Sequence, residues 1–411
     1  MSKLDELIKE LCPDGVEYKK LGDFATVIRG GNFQKKDFVE NGKPCIHYGQ
    51  MYTHFKNTTD KTLTFVSESI FNKSKQAQPN DIVMAVTSEN VDDVCSCVAW
   101  LGKENIAVSG HTAIIHHNQN PSYMSYYFHS EHFYKQKVKL AHGTKVIEVT
   151  PDKLLNIEIP VPPLPIQEEI VHILDNFTEL TAELTAELTA RRKQYEYYRD
   201  SLLTFGDDVE WKRIDEITKI KGRIGFRGYT QNDFVKPGEG AISLSPGNIQ
   251  NGRFIFDECK YITWEKYEES PEIKVFPNDV VFCKTGSTVG KVAIIYELPE
   301  KATLNPQLVV FKETSCNPKF LYYFLNKEDI QSKVKALAGI GSVPNISQTN
   351  LGKIEIAMPP KEEQERIVSI LDRLESLCND ITSGLPAEIE TRHKQYEYYR
   401  DKLLTFKKKE A

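Results

Sequence analysis

The sequence predicts an α+β protein: two globular α/β domains in tandem, each followed by a long helix. The two helices are expected to pair as an antiparallel coiled coil with pseudo-twofold symmetry. Two observations carry this expectation. Fourteen residues, Arg192 to Phe205, return as His393 to Phe406 with changes only at the first and tenth positions. Upstream of the first copy, Ile166, Ile170, Ile173, Leu174, Phe177, Leu180, Leu184 and Leu188 keep i, i+3, i+4 spacing, the single apolar stripe of a long amphipathic helix.

The duplication reaches far beyond those segments. Ile157-Glu158-Ile159 before Pro162-Pro163 matches Ile354-Glu355-Ile356 before Pro359-Pro360. Gln167-Glu168, Ile170-Val171 and Ile173-Leu174-Asp175 match Gln364-Glu365, Ile367-Val368 and Ile370-Leu371-Asp372. Pro79-Asn80-Asp81 recurs as Pro277-Asn278-Asp279, and Asn120-Pro121 recurs as Asn317-Pro318, each before an aromatic run. A period of roughly 200 residues lies far above solenoid repeats, so these are two large copies of one plan. Between the anchors, residues 29–60 share little with 223–260, nor do 84–118 with 282–312.

The chain therefore divides into residues 1–160, a first globular domain with a short N-terminal helix; 161–206, a central helix; 207–357, a second domain; and 358–411, a C-terminal helix. Strands are expected at about 23–29, 81–86, 106–116, 279–283, 292–296 and 307–311 from their apolar, β-branched character. A helix should follow each Asn-Pro, with Asn as N-cap and Pro in the first turn. The central helix should run unbroken from about Ile166 to Phe205. The second, from about Lys361 to Lys408, should break or kink at Ser383-Gly384-Leu385-Pro386, because Pro lacks the helix donor and clashes with the preceding turn.

The central helix contains Thr181-Ala182-Glu183-Leu184 followed by Thr185-Ala186-Glu187-Leu188. Perfect tandem identity allows its length to change in four-residue steps of about 6 Å and about 40°. Bulk properties exclude little else. No apolar run reaches the ~18 residues of a membrane span. Eight cysteines without CxxC pairs point to free thiols in the reducing cytoplasm. The net charge of −6 dissolves on division: residues 14–160 carry 16 Lys+Arg against 16 Asp+Glu, and residues 207–357 carry 20 against 20. Neutral domains permit nucleic-acid binding through local basic patches without demanding it.

Two divergent domains, each followed by a similar helix that starts Pro-Pro, Gln-Glu, Ile-Val, Ile-Leu-Asp, resemble the specificity subunit of type I restriction–modification systems. The Thr-Ala-Glu-Leu repeats resemble one subgroup of that family. The resemblance covers the chain from about Val16 onward and is weak inside the domains. It implies two target-recognition domains, each reading one half of an interrupted double-stranded DNA site. The helices would set the gap and scaffold two copies of the methyltransferase (modification) subunit, with restriction/translocase subunits completing the assembly. S-adenosylmethionine, ATP and Mg2+ would belong to those partners; no cofactor, metal or catalytic residue is expected in this chain, and no membrane contact.

With DNA as the implied ligand, Arg and Lys suit guanine and phosphate, and Asn and Gln suit adenine. In the first domain these are Arg29, Asn32, Lys35, Lys36, His47, Tyr48, Gln50, His111, Thr144 and Lys145. In the second they are Arg223, Arg227, Tyr229, Asn248, Lys284, Ser287, Lys291, Asn305 and Gln307. For partner subunits, tyrosine and arginine are the usual interface anchors: Tyr195, Tyr197, Tyr198, Arg199, Tyr396, Tyr398, Tyr399 and Arg400. The alternative for these is that Tyr195, Tyr198 and Leu202 pack the helix ends together, with both roles divided between faces.

Other motifs carry a plainer reading. Asn120-Pro121-Ser122-Tyr123 and Asn317-Pro318-Lys319-Phe320 approach an amino-methyltransferase motif but lack its second proline, and no glycine-rich cofactor loop precedes them. Gly286-Ser287-Thr288-Val289-Gly290-Lys291 is one residue short of a phosphate loop and has Val292 where a magnesium-binding hydroxyl belongs; it reads as a hairpin or loop. Cys95-Ser96-Cys97 and His116-His117 form no zinc-type ligand set. A self-contained DNA adenine methyltransferase and a coiled-coil adaptor without a DNA role remain the alternative functions.

Overall fold

A computed structural model describes residues 2–31, 33–223, 229–339, 341, 343–379 and 384–410. The chain forms two compact units. One comprises Met1–Glu183 together with Ile389–Ala411, the other Leu184–Glu388. Each unit thus takes chain from both sides of the domain limits expected above, and the long helix Leu164–Leu202 contributes one half to each.

In the first unit, a five-stranded sheet runs in the order 25–29, 112–117, 82–85, 97–100, 58–59, and a second in the order 38–39, 64–66, 43–46, 106–108, 76–77. The expected single strand over 106–116 is in fact two strands in two different sheets. The chain turns at Ser109–His111, where His111 takes φ +64°, a left-handed conformation no strand continues through. Helices Pro121–Phe128 and Glu131–Leu140 cover the outer face of the first sheet. Ile46, Val83, Val98, Ile106 and Ile114 fill a second core.

The second unit repeats the plan. A six-stranded sheet (219–222, 308–312, 280–283, 292–294, 253–254, 249–250) accompanies a five-stranded one (234–235, 260–262, 241–244, 302–304, 274–275). Helices Pro318–Leu325 and Glu328–Ala338 follow. The segment 284–291 joins antiparallel strands, with Val280 opposite Ile294 and Phe282 opposite Val292, so the phosphate-loop look-alike is a hairpin loop. Cys95 lies in a left-handed turn at φ +69° before strand Cys97–Trp100. Among the described residues the C-terminal helical region comprises Lys361–Asn379 and Leu385–Leu403. Of the expected breaking segment, Ser383 lies outside the described residues, Gly384 is non-helical, and Leu385 and Pro386 stand in the first turn of the second helix.

The duplicated anchors prove to be a docking code between each domain and its helices. Asn120 and Asn317 cap their helices through their side-chain oxygens, Asn120 accepting the Tyr123 N–H and Asn317 that of Phe320. The backbone N–H of each Asn donates to the repeated glutamine of the helix start, Asn120 to Gln167 at 3.0 Å and Asn317 to Gln364 at 2.8 Å. Those amides in turn donate to Pro162 O at 2.8 Å and Pro359 O at 2.9 Å. Further along the same helices, Tyr126 Oη donates to Asp175 at 2.6 Å and Tyr323 Oη to Asp372 at 2.7 Å. A buried amide with both ends bonded carries little desolvation cost, which is why Gln167 and Gln364 sit fully inside. Among the described residues no helix is long and apolar enough to cross a membrane.

Candidate functional site

Part of the divergent candidate set comes together at the same place in each unit, His47, Tyr48, Gln50 and His111 in the first and Asn248, Lys284, Asn305 and Gln307 in the second. That place is the corner where the two sheets exchange chain. In the first unit, strand 43–46 ends in the tight turn His47-Tyr48-Gly49-Gln50, and strand 106–108 beside it ends in the corner Ser109–His111. The Tyr48 N–H donates to Ser109 Oγ at 2.9 Å. An aromatic ladder results: Phe38 against His47 at 5.8 Å between centroids, His47 against Tyr48 at 4.5 Å, and Tyr48 against His111 at 5.2 Å.

The imidazole of His47 is buried and accepts the Gly49 N–H at Nδ1, 3.2 Å away. Burial lowers its pKa, and the charges of Lys35 and His111 push the same way, so the ring is held neutral. His111 is exposed at the end of the ladder. Arg29 lies opposite Ala113 on the neighbouring strand and pairs with Glu148 at 3.0 Å. Lys35, Lys36, Thr144 and Lys145 are exposed. Asn32 lies outside the described residues.

The second unit builds the same corner from different side chains. Strand 241–244 ends in Ser245-Pro246-Gly247-Asn248, and strand 302–304 ends in Asn305-Pro306-Gln307. Arg223 stacks on Tyr229 at 4.3 Å and donates to its hydroxyl at 2.9 Å; that hydroxyl donates to Leu304 O at 2.9 Å. The Asn305 amide donates to Gln307 Oε1 at 3.2 Å and accepts the Gln307 N–H at 2.9 Å. The Lys284 N–H donates to Gln307 O at 2.9 Å, bringing lysine and glutamine to one edge. Ser287 and Lys291 are exposed in the hairpin loop, with Lys291 Nζ 3.5 Å from Ile249 O at its far end. Gly286, Val289, Gly290 and Lys291 spend their N–H groups on protein carbonyls, so this loop offers no continuous phosphate cradle. Arg227 lies outside the described residues.

Sequence reading missed Phe38 and Ser109 in the first cluster and Asn345 in the second, where Thr285 Oγ1 donates to Asn345 Oδ1 at 2.6 Å. Only Ser109 left a trace, since it stands where Asn305 stands. Among the described residues no cluster suits a metal ion.

The repeated helix ends divide by face. Tyr195 and Tyr396 turn inward: Tyr195 Oη donates to Glu375 at 3.4 Å, and Tyr396 meets Asn57 at 3.3 Å and the Tyr126 ring at 6.4 Å. Glu375 is buried, also accepts Tyr322 Oη at 2.7 Å, and is pushed up in pKa by desolvation. Arg199 and Arg400 are largely covered and pair with Asp200 and Asp401. Tyr197 and Tyr398 turn outward, 70% and 61% exposed. Each forms an edge-on pair with its neighbour, Tyr197 with Tyr198 at 5.6 Å and Tyr398 with Tyr399 at 5.3 Å. Tyr399 also stacks on Phe177 at 5.3 Å.

A duplicated two-sheet unit with a shared frame and a divergent corner, docked on helix ends that barely differ, defines a class of tandem recognition proteins. The family model for the type I restriction modification DNA specificity domain matches residues 13–191 and again 206–391, and the chain belongs to that family. It is 41% identical over 264 residues to the type I restriction enzyme EcoR124I/EcoR124II specificity subunit of Escherichia coli, covering 62% of this chain and 64% of that protein. A putative type I restriction enzyme specificity subunit of Haemophilus influenzae is 36% identical over 279 residues, covering 64% and 68%. A chain from a solved structure concerned with complex assembly and conformational transition of the type I R-M system matches with a TM-score of 0.61, covering 96% of this chain and 98% of that one. At 15% identity the likeness is one of fold.

Proposed function

We propose that this chain is the DNA-reading, non-catalytic subunit of a type I restriction–modification complex. Each unit reads one half of an interrupted double-stranded site through its corner. The first does so with Tyr48 and His111, held in place by the buried His47 and backed by Arg29, Lys35, Lys36, Thr144 and Lys145; the second with Tyr229, Asn305, Gln307 and Lys284, backed by Arg223, Ser287 and Lys291. Asn32 and Arg227 belong to the same proposal on sequence grounds. The observation that carries it is the placement of unlike side chains at one equivalent corner of two like frames. Selection for two different half-sites on one scaffold accounts for that pattern.

The exposed tyrosine pairs, nearly identical in the two copies, are proposed to hold two copies of the modification subunit, with restriction/translocase subunits joining them. S-adenosylmethionine, ATP and Mg2+ are assigned to those partners. A methyltransferase centre in this chain is disfavoured because Asn120 and Asn317, which such a centre would need, spend their side-chain oxygens capping helices. Eight free thiols suit a cytoplasmic setting. A filter-binding assay paired with a methyl-transfer assay tests this reading. Sequence-preferring DNA binding with methylation only when the modification subunit is added is expected. Adenine methylation by the chain alone would refute it.

A further inference from the structure

Gln50 and Asn248 carry the side-chain amide that reads adenine through paired hydrogen bonds in the major groove. Both amides are already engaged, and in the same way. Gln50 Oε1 accepts the His47 N–H at 2.9 Å, and its Nε2 donates to Thr64 Oγ1 at 3.3 Å. Asn248 Oδ1 accepts the Ser245 N–H at 3.0 Å and the Ser245 hydroxyl at 2.8 Å, and its Nδ2 donates to Cys259 Sγ at 3.4 Å. Each residue closes the fourth position of a tight turn that leaves a strand whose parallel neighbour leads into the corner. Ile46 lies opposite Val108 in one unit, and Leu244 opposite Leu304 in the other. The backbones agree as well: Gln50 N donates to His47 O at 2.9 Å and Asn248 N to Ser245 O at 3.0 Å. The sequences of the two turns share only glycine at the third position.

A side chain whose oxygen and nitrogen both hold its own turn cannot also give both to a base without undoing that turn. We infer that Gln50 and Asn248 are positioning residues, and that base discrimination falls to the side chains their turns hold at the corner, His111 with Tyr48 in the first unit and Gln307 in the second. The turn would then be the invariant bracket of a two-part reader, and the corner its exchangeable part. His111 and Gln307 occupy matching places: the carbonyl of His111 accepts the Val86 N–H at 2.9 Å, and that of Gln307 accepts the Lys284 N–H at 2.9 Å. Both side chains are exposed; Gln307 differs from Gln50 and Asn248 in that its amide gives a neighbour the oxygen alone, Oε1 accepting from Asn305 at 3.2 Å. This inference rests on the DNA-reading function proposed above.

The experiment uses the full chain assembled with its modification subunits and scores methylation of a DNA library randomised at each position of the two half-sites. Gln50→Glu is the discriminating variant. It keeps the acceptor that closes the turn, but an amide read by adenine would become a carboxylate suited to the cytosine amino group. Unchanged base preference is expected for Gln50→Glu and Asn248→Asp. Gln50→Ala and Asn248→Ala should each weaken methylation of every library member by a uniform factor, about 2- to 12-fold for each hydrogen bond lost, two at Gln50 and three at Asn248. His111→Ala and Gln307→Ala should each alter base preference in one half-site and leave the other untouched. A shift of preference toward cytosine with Gln50→Glu or Asn248→Asp, or unaltered preferences with His111→Ala and Gln307→Ala, would overturn the inference. An unmutated complex with no sequence preference would instead refute the function on which it rests.

Discussion

Asp401 accepts the backbone N–H of Glu131 at 3.0 Å, and Asp200 accepts that of Glu328 at 3.2 Å. Both aspartates belong to the repeated fourteen-residue segment, and both meet the first turn of the second helix in a domain. A carboxylate there satisfies an orphan donor and complements the helix dipole. The helices differ in what else caps them: Ser130 Oγ accepts the Phe133 N–H at 3.3 Å, whereas Lys327 offers no side-chain cap. Asp200→Ala should therefore destabilise its unit by about 1–2 kcal/mol, and Asp401→Ala its own unit by less. Hydrogen exchange of the amides in Glu328–Ala338 and Glu131–Leu140 reads both effects separately; equal losses would contradict the difference in capping.

The two units should respond differently to acid. Burial pushes the His117 imidazole down to about 4, while its Nδ1 accepts the Gln119 N–H at 3.2 Å. A folded pKa below the ordinary value of about 6.5 means the fold prefers the neutral ring. That contribution is complete above about pH 6.5 and is lost as pH falls through 4. Glu313 stands at the matching position of the second unit, next to Lys312, which is paired with Asp279. Intrinsic-rate-corrected hydrogen exchange at pH 7 and pH 5 should reveal loosening of strand Thr112–His117 that His117→Asn reduces. An identical loosening in the variant would rule this out.

Tyr197 and Tyr198 can be removed at little structural cost because their rings face solvent. Tyr197→Ala with Tyr198→Ala should leave the thermal midpoint within about 2 °C, since exposed substitutions rarely exceed ~0.5 kcal/mol. Association with the modification subunit should weaken at least about tenfold, as expected of paired aromatic anchors. Titration of the purified subunits checks this. Unchanged affinity would transfer the partner surface elsewhere.

The continuity of Leu164–Leu202 gives the Thr-Ala-Glu-Leu repeats a mechanical reading. Deleting Thr185 to Leu188 shortens the helix by about 6 Å and turns its far end by about 40°. With DNA rising about 3.4 Å per base pair, the gap between half-sites should contract by one or two base pairs while both half-sites stay the same. Genome-wide mapping of methylated adenines measures it, and an unaltered gap would exclude the helix as a ruler.

The sequence made the frame legible and left the corner obscure, for a physical reason. Asn120, Pro121 and the stripe of Ile166, Ile170 and Leu174 act through neighbours on their own element, so local spacing reveals them. The split at Ser109–His111 turns on one backbone angle at His111, which no periodicity announces. The inward turn of Tyr195, Arg199 and Asp200 and the outward turn of Tyr197 depend on a domain more than 100 residues away, as the Asp200–Glu328 bond shows. Asp81 and Asp279 illustrate the same limit: both follow Pro-Asn, yet one pairs with His116 at 2.6 Å and the other with Lys312.

The first unit contains both early chain and Ile389–Ala411, and Val16 exchanges hydrogen bonds with Lys407 and Lys409 at 2.8 and 2.9 Å. The second unit is a single uninterrupted stretch. On a ribosome adding about 5–20 residues per second, the later-made unit can complete its core first. The earlier one must wait, with the faces that will receive Tyr396 and Leu404 still uncovered, for ten seconds or more on the same estimate. Completion of the two units would then run opposite to their order of synthesis, and truncation near the C-terminus should injure the domain made first.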